Sequence, residues 1–295
     1  MILRTLWTQV KSSGKLQLGL LLLVALVVLA LLHPVAAFAV GSQASGPETN
    51  PLAIAAYQPW LRPSPLHWLG TERYGRDVLV MALTGLATSL VIGLIAGFLS
   101  TAIGVVIAFV AGYKGGRTDR VLVTVMDVFL VVPTLPLLLT LSAYMRKVSL
   151  WQVALLLAVF SWPFAARTIR AHVLSLRSRP YVDLARVTNC SDAEIIFQDL
   201  VPNLMPYIGV GFANAAVAAV AALVALEVIG LGPANTIDLG LMISFAVSWG
   251  ALSLGAWPLF VVPIVLLTLL FMSVMMINIG LEEVYNPRLR SVAGA

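Results

Sequence analysis

Long uninterrupted apolar runs constrain this chain more than any other feature. Four stretches contain no charged residue, and they lie at 16–47, 78–113, 200–226 and 239–281. A helix needs about 20 apolar residues to cross a bilayer, so each stretch is long enough for one crossing. Two further spans follow at about 121–144 and 148–166 if one acid, Asp127, is tolerated. The sequence therefore predicts an all-α polytopic membrane protein with six transmembrane helices.

The first apolar run follows Arg4, Lys11 and Lys15, as the core of a secretory signal peptide would. The run is longer than the roughly 7–15 residues of a signal core, and no convincing small-residue cleavage site ends it. We expect an uncleaved membrane anchor, and a signal peptide is the alternative.

The distribution of basic residues predicts the topology. With six crossings, thirteen of the eighteen Lys and Arg residues fall on the side of the N-terminus. Cytoplasmic loops carry such an excess, so both termini are expected in the cytoplasm. The net charge of +5 is therefore explained by the excess of basic residues in the cytoplasmic loops. We expect membrane lipid, but no nucleic acid, as a partner.

The apolar and polar stretches divide the chain into an N-terminal segment with the first helix, an extracytoplasmic loop, a five-helix core and a tail, at 1–40, 41–84, 85–281 and 282–295. A large cytoplasmic loop is expected at 167–203 within the core. The run 78–113 would extend about 54 Å as one helix, against a hydrocarbon core of about 30 Å. We therefore expect its start to lie along the interface and helix two to cover about 88–111. Helix three should bend at Pro133 or Pro136, because proline removes a backbone donor.

Catalytic and metal-binding patterns are not found in the sequence. The three histidines, His33, His67 and His172, are far apart, and Cys190 is the single cysteine. The segment "SSGKLQ" lacks the first glycine and the Ser or Thr of a phosphate-binding loop, and no G-x-S-x-G elbow occurs. We expect a non-enzymatic chain that holds no metal and no cofactor of its own.

Two acids lie within or beside the apolar helices. Asp127 is expected about 10 Å inside the membrane, either as a polar point on a translocation path or as the structural partner of an inner-leaflet Arg such as Arg120 or Arg117. Glu227 ends helix five, where it could face a gate, although solvation at the helix end is the favoured interpretation. A carboxylate at a helix C-terminus is unfavourable for the macrodipole, so a local partner is expected for Glu227.

One stretch, "YVDLARVTNCSDAEIIFQDLVPN" at 181–203, resembles soluble protein rather than membrane. Its apolar spacing predicts two short amphipathic helices. Asn189 suits a left-handed turn between them, and Ser191 with Glu194 forms a capping box for the second helix. Pro202 is expected to end that helix. This arrangement predicts a docking surface for a soluble partner, with a hairpin lying on the membrane as the alternative.

Several blocks of sequence carry a resemblance to one family. They are "GTERYGRDVL" at 70–79, "GYKGGRTDRVLVTVMDVFLVVPTLPLLL" at 112–139, "WPFAARTIRAHVLSLRSRPYVDLAR" at 162–186 and "SWG" at 248–250. Together with 181–203, they resemble the second permease of bacterial ABC importers for dipeptides, oligopeptides and related nickel or oligosaccharide solutes. The cytoplasmic loop of these permeases follows the pattern E-A-A, three residues, G, nine residues, I-x-L-P. This chain departs from it at Asp183, Leu184 and Asn189, and a later S-F-L-G-L-G block is reduced to "VIGLG".

The resemblance implies a type I ABC importer fold with a cytoplasmic coupling helix. It also implies four kinds of neighbour: a homologous second permease, two cytosolic ATPases that hold ATP and magnesium, an extracytoplasmic solute-binding protein and the lipid of a bacterial or archaeal cell membrane. The residues implied in ATPase coupling are Tyr181, Asp183, Leu184, Ala185, Arg186, Asn189, Ser191 and Asp192. Asp127 and Glu227 are the translocation-path candidates. The alternative function is an ion-coupled transporter or channel that uses Asp127, and the resemblance does not identify the substrate.

Overall fold

The structure, a computed structural model, describes residues 13–42, 50–144, 149–233 and 236–285. The segment before residue 13 and most of the tail predicted at 282–295 lie outside the described residues. The α-helices of the described residues are α1 Gly14–Leu31, α2 His33–Gly41, α3 Val78–Lys114, α4 Gly116–Val131, α5 Thr134–Tyr144, α6 Leu150–Leu176, α7 Pro180–Val187, α8 Asp192–Glu194, α9 Val201–Val228, α10 Leu239–Ser248 and α11 Pro258–Tyr285. A π-helical turn, Ile195–Leu200, joins α8 to α9.

Five continuous helical segments of the described chain are long and apolar enough to cross a membrane, and the pair α4–α5 makes a sixth if it is one bent span. The predicted fold class, an α-helical membrane protein with six spans, is confirmed on that count. The bend between α4 and α5 is 76°, at the predicted proline. Val132 has the extended backbone (ψ 123°) that the ring of Pro133 favours in the residue before it.

Helix α3 differs from its prediction, because it is one continuous helix of 37 residues that begins at Val78. The expected start near residue 88 is wrong. Asp77 caps the helix by accepting a hydrogen bond of 3.0 Å from the backbone of Val80. The first turns are buried in a core that they share with α10 and α11, where Met81 and Leu86 are fully enclosed. Protein therefore covers the segment that was expected to lie along the interface.

The two ends of the bundle differ in chemistry. We call the end that carries residues 50–77 and α10 the loop end, and the opposite end, which carries Lys114, Arg177 and Arg186, the basic end. Helix α1 starts at the basic end beside the last turns of α11, where Lys15 pairs with Glu283. The first and last helices of the described chain therefore meet at the same end.

The loop at residues 50–77 is held by buried polar contacts. His67 and Asp77 are both enclosed and lie 2.8 Å apart between Nδ1 and Oδ2. The carboxylate of Glu72, also buried, accepts from the backbone of Tyr74 at 2.8 Å and from Nε of Arg76 at 2.8 Å. Side chains of the block "GTERYGRDVL" therefore hold the loop in place at the start of α3.

Small residues let α3 and α9 approach each other closely. A Cβ at Gly97 would lie 2.9 Å from Cβ and 3.0 Å from Cα of Ala216, and one at Gly93 would meet Val220 at 2.9 Å. Interfaces between membrane helices favour such residues because they permit close backbone contact. Helix α3 therefore packs directly on α9, the span that follows the segment at the basic end.

Candidate functional site

Helix α7 forms an exposed platform at the basic end. Pro180 occupies its first turn, where a missing N–H has no cost, and Val182 is fully buried in the core between α3, α6 and α9. On the other face, Leu184 is 65% exposed although it is apolar. Asp183 pairs with Arg186 at 3.2 Å, and both are exposed. The helix is therefore anchored by one side chain and open along its opposite face.

The predicted turn at Asn189 is present, with φ at 66°. The backbone N–H of Cys190 donates to Ala185 O at 3.0 Å, and that of Asn189 donates to Arg186 O at 3.1 Å. This pair of bonds is a Schellman motif, which requires a left-handed residue at the position of Asn189. Asn supplies the conformation here that Gly supplies in the family pattern.

The predicted capping box also forms. Ser191 Oγ accepts from the backbone of Glu194 at 3.3 Å, and the Glu194 carboxylate accepts from the backbone of Ser191 at 2.7 Å. The predicted stop at Pro202 is wrong, however, because the helix continues from α8 through the π-helical turn into α9. In this turn Val201 N–H bonds to Ile196 O five residues back, and the changed register carries the helix past the proline.

Helix α3 contributes three contacts to this site that the sequence did not indicate. Tyr113 donates a hydrogen bond of 2.8 Å from its hydroxyl to Asp192, and its ring lies 5.8 Å below the guanidinium of Arg186. Arg177 donates to the carbonyl of Gly112 at 2.6 Å. The end of α3 therefore holds α6, α7 and α8 together. The only sequence signal was the position of Tyr113 beside the glycine-rich turn.

Helix α6 is longer than predicted, because it runs to Leu176 rather than ending near Arg167. The first ten residues of the loop predicted at 167–203 are therefore helical. Arg170 of this extension makes a bidentate bond to Asp119 of α4, with both N–O distances at 2.6 Å. Planar two-point bonding of this kind is among the strongest ion-pair geometries. It fixes α4 to α6 just beside the site.

Asp127 pairs with Arg167 at 2.7 Å, not with the predicted partners Arg117 or Arg120. The fold brings α4 against α6, whereas sequence distance suggested a partner on the same helix. About half of each of the two side chains is exposed. The pair therefore faces the open surface of this subunit, and a role for Asp127 in translocation remains a prediction.

Glu227 is buried, and the solvated position favoured from the sequence is wrong. Only 1% of its surface is exposed, because the chain turns back after α9 and brings Asp238 beside it. Gly232 and Gly240 close over the Glu227 carboxyl. The side chain beside Glu227 is thus a second acid, contributed by the cap of α10, and it is not the compensating partner that the sequence predicted.

In the part of the chain that the structure describes, no three His, Cys, Asp or Glu side chains lie close enough together to hold a metal ion. The expectation that ATP and magnesium reside in partner subunits stays a prediction.

Fold and site together define a class: a helical multi-pass membrane subunit with a short exposed helix, α7, at its basic end. The sequence matches the family described as "Binding-protein-dependent transport system inner membrane component" over residues 104–291. This match covers more than half of the chain, and the chain belongs to that family. It is a permease subunit of an ABC transport system, and the recognition made from the sequence blocks is confirmed.

Similar proteins include the "Oligopeptide transport system permease protein OppC" of Mycobacterium bovis, 32% identical over 233 residues, which cover 78% of this chain and 79% of the relative. The "Dipeptide transport system permease protein DppC" of Bacillus subtilis is 29% identical over 292 residues, with 96% and 85% covered. Among solved structures, a chain of the inward-facing MetNI methionine ABC transporter matches with a TM-score of 0.57 at 17% identity. That match covers 69% of this chain and 96% of the MetNI chain, and it supports the type I importer fold.

Proposed function

We propose that this chain is the second permease of an ATP-driven importer for dipeptides or oligopeptides, with α7 as the surface on which an ATPase docks. The peptide class is supported by the names of the relatives that align with most of the chain. The basic end would face the cytosol, in agreement with its Lys and Arg residues. One cytosolic ATPase would bind here and its twin would bind a homologous permease, and an extracytoplasmic binding protein would deliver solute to the loop end.

The observation that carries the proposal is the combination of an exposed α7 with rigid connections behind it. Leu184 offers an apolar surface of which most is exposed, while Val182 fixes the helix to the core. Motion of α7 would reach α9 through the helical run from Asp192 and would reach α3 through Tyr113. Such a lever needs no catalytic group of its own, since ATP and magnesium would be held by the partners.

The ion-coupled alternative has weaker support. It requires Asp127 as a titrating carboxylate, but Arg167 already compensates its charge at 2.7 Å. Family membership also favours an ATP-driven system. We therefore assign the Asp127–Arg167 pair to the wall of the translocation path that the two permeases would enclose.

The test is charge reversal on α7 in the assembled transporter. Asp183→Arg is expected to leave the amount of membrane-inserted protein unchanged and to abolish ATP hydrolysis stimulated by the binding protein and peptide. The matched control is Glu282→Arg, which makes the same reversal of charge at an exposed position at the basic end but away from α7. Normal stimulation in Asp183→Arg would refute the docking surface. If a solute other than peptide stimulated ATP hydrolysis normally, only the proposed substrate class would be refuted.

A further inference from the structure

The carboxyl groups of Glu227 and Asp238 lie side by side in an enclosed site at the loop end. Glu227 is 1% exposed and Asp238 is fully buried. A Cβ at Gly232 would lie 2.6 Å from Cγ and 2.8 Å from Oε1 of Glu227, and one at Gly240 would collide with Oε2. Both glycines therefore leave room that only the glutamate carboxyl fills, and the site is closely shaped around two acids.

Most of the oxygens of the pair have no donor. Asp238 Oδ1 accepts from the backbone of Gly240 at 2.8 Å and of Leu241 at 3.1 Å, so it caps α10. Oδ2 of Asp238 and both oxygens of Glu227 are buried without a hydrogen-bond partner among the described residues. A buried polar atom without a partner costs about 1–3 kcal/mol, and a charged one costs more. These three oxygens therefore require a positive ligand.

The surrounding side chains do not supply that charge. Helix α3 contributes Ser89, whose Oγ accepts from the backbone of Leu239 at 3.3 Å, and α9 contributes Val224. None of the ion pairs among the described residues includes either acid. A neighbouring open cavity of about 760 Å³ has Arg76 in its wall, but Glu72 already holds that guanidinium.

A single proton fits the site better than a metal ion. Hard cations such as Ca²⁺ take about six to eight oxygen ligands, whereas three free side-chain oxygens are present here. Two adjacent carboxyls in a dry site cannot both ionise, and one proton turns them into a donor and an acceptor. The C-terminus of α9 disfavours charge on Glu227, and the N-terminus of α10 favours charge on Asp238. The proton therefore belongs on Glu227.

We propose that Glu227 and Asp238 form a proton-binding site whose shared proton latches the start of α10 to the end of α9. Loss of the proton would leave two facing negative charges, which would push the cap of α10 away from α9. The latched form binds one proton more than the released form, so falling pH favours closure and rising pH favours release. This proposal does not rest on the peptide substrate or on ATPase docking.

Infrared difference spectroscopy across a pH series tests the proton site directly, on the full-length chain in lipid nanodiscs. The wild-type protein should show one band of a protonated carboxyl that persists at neutral pH. Glu227→Gln should lack this band, while Ser89→Ala, beside the same cap, should keep it. A wild-type spectrum without the band, or with a carboxylate pair that responds to added Na⁺ or Ca²⁺, would overturn the proposal.

Thiol labelling tests the latch. In a Cys190→Ser background, Ser89→Cys places a thiol under the start of α10, and Ala53→Cys places a reference thiol at an exposed position. The labelling rate at position 89 relative to position 53 should rise several-fold as pH increases. Glu227→Gln should make this ratio independent of pH, because its amide donates to Asp238 at every pH. A flat ratio in the protein with Glu227 intact would refute the latch even if the infrared band were present.

Discussion

Replacing Gly97 by alanine should loosen the contact between α3 and α9. The added Cβ would lie 2.9 Å from Cβ and 3.0 Å from Cα and N of Ala216. Carbon atoms in ordinary contact are about 3.5–4.0 Å apart, so the two helices would have to separate by roughly 0.5–1 Å. Overpacking of this kind costs about 1–3 kcal/mol. Two of the three nearest atoms belong to the backbone of α9, and no side-chain rotation can move them away. The added Cβ therefore destabilises the contact between the two helices.

The matched control is Gly209→Ala in α9, where an added Cβ meets nothing within 4 Å. Both substitutions gain the same helix propensity, up to about 1 kcal/mol, so the difference between them isolates the contact. Unfolding of the full-length protein in mixed micelles by SDS titration measures both free energies. We expect Gly97→Ala to be less stable than Gly209→Ala by about 1–3 kcal/mol, with part of the loss restored by Ala216→Gly. Equal stability of the two alanine variants would show that the close approach does not limit the packing.

Substitutions at two further positions test the basic end. Arg170→Lys keeps the charge but loses the two-point bond to Asp119, so the free energy of unfolding should fall by about 1–2 kcal/mol; an unchanged value would mean that the bond adds no stability. Asn189→Gly should preserve transport, since glycine also adopts a positive φ, whereas Asn189→Val should reduce transport because a β-branched residue is strained there. Equal transport by both variants would show that the turn is not required.

The segment at 181–203 shows how much local sequence patterns can predict. The capping box of Ser191 and the left-handed turn at Asn189 were predicted because both depend on residues within five positions of each other. The stop at Pro202 was predicted by the same local reasoning and is wrong. The π-helical turn that passes the proline lies within a segment where Ile195 and Leu200 are anchored in the core, and no local pattern contains that constraint.

Asp127 and Glu227 show what local sequence patterns cannot predict. Asp127 and Glu227 were identified as significant because charge in an apolar run is costly, which is a property of composition. Their partners, Arg167 and Asp238, come from other helices. Sequence order does not state which helices touch, so the expected pairing with Arg117 or Arg120 and the solvated position of Glu227 are both wrong.

The sequence by itself determined that this protein is a helical membrane subunit, since no other structure satisfies the backbone of long apolar runs in lipid. It also determined a bend at Pro133 or Pro136 and the resemblance to the permease family, because proline chemistry and the order of motifs are properties of the chain itself. Only the tertiary structure decided that α3 is continuous from Val78, that Tyr113 contacts α7 and α8, and that Glu227 lies beside Asp238. Each of these depends on distant segments packing together, where burial and close contact outweigh local preference.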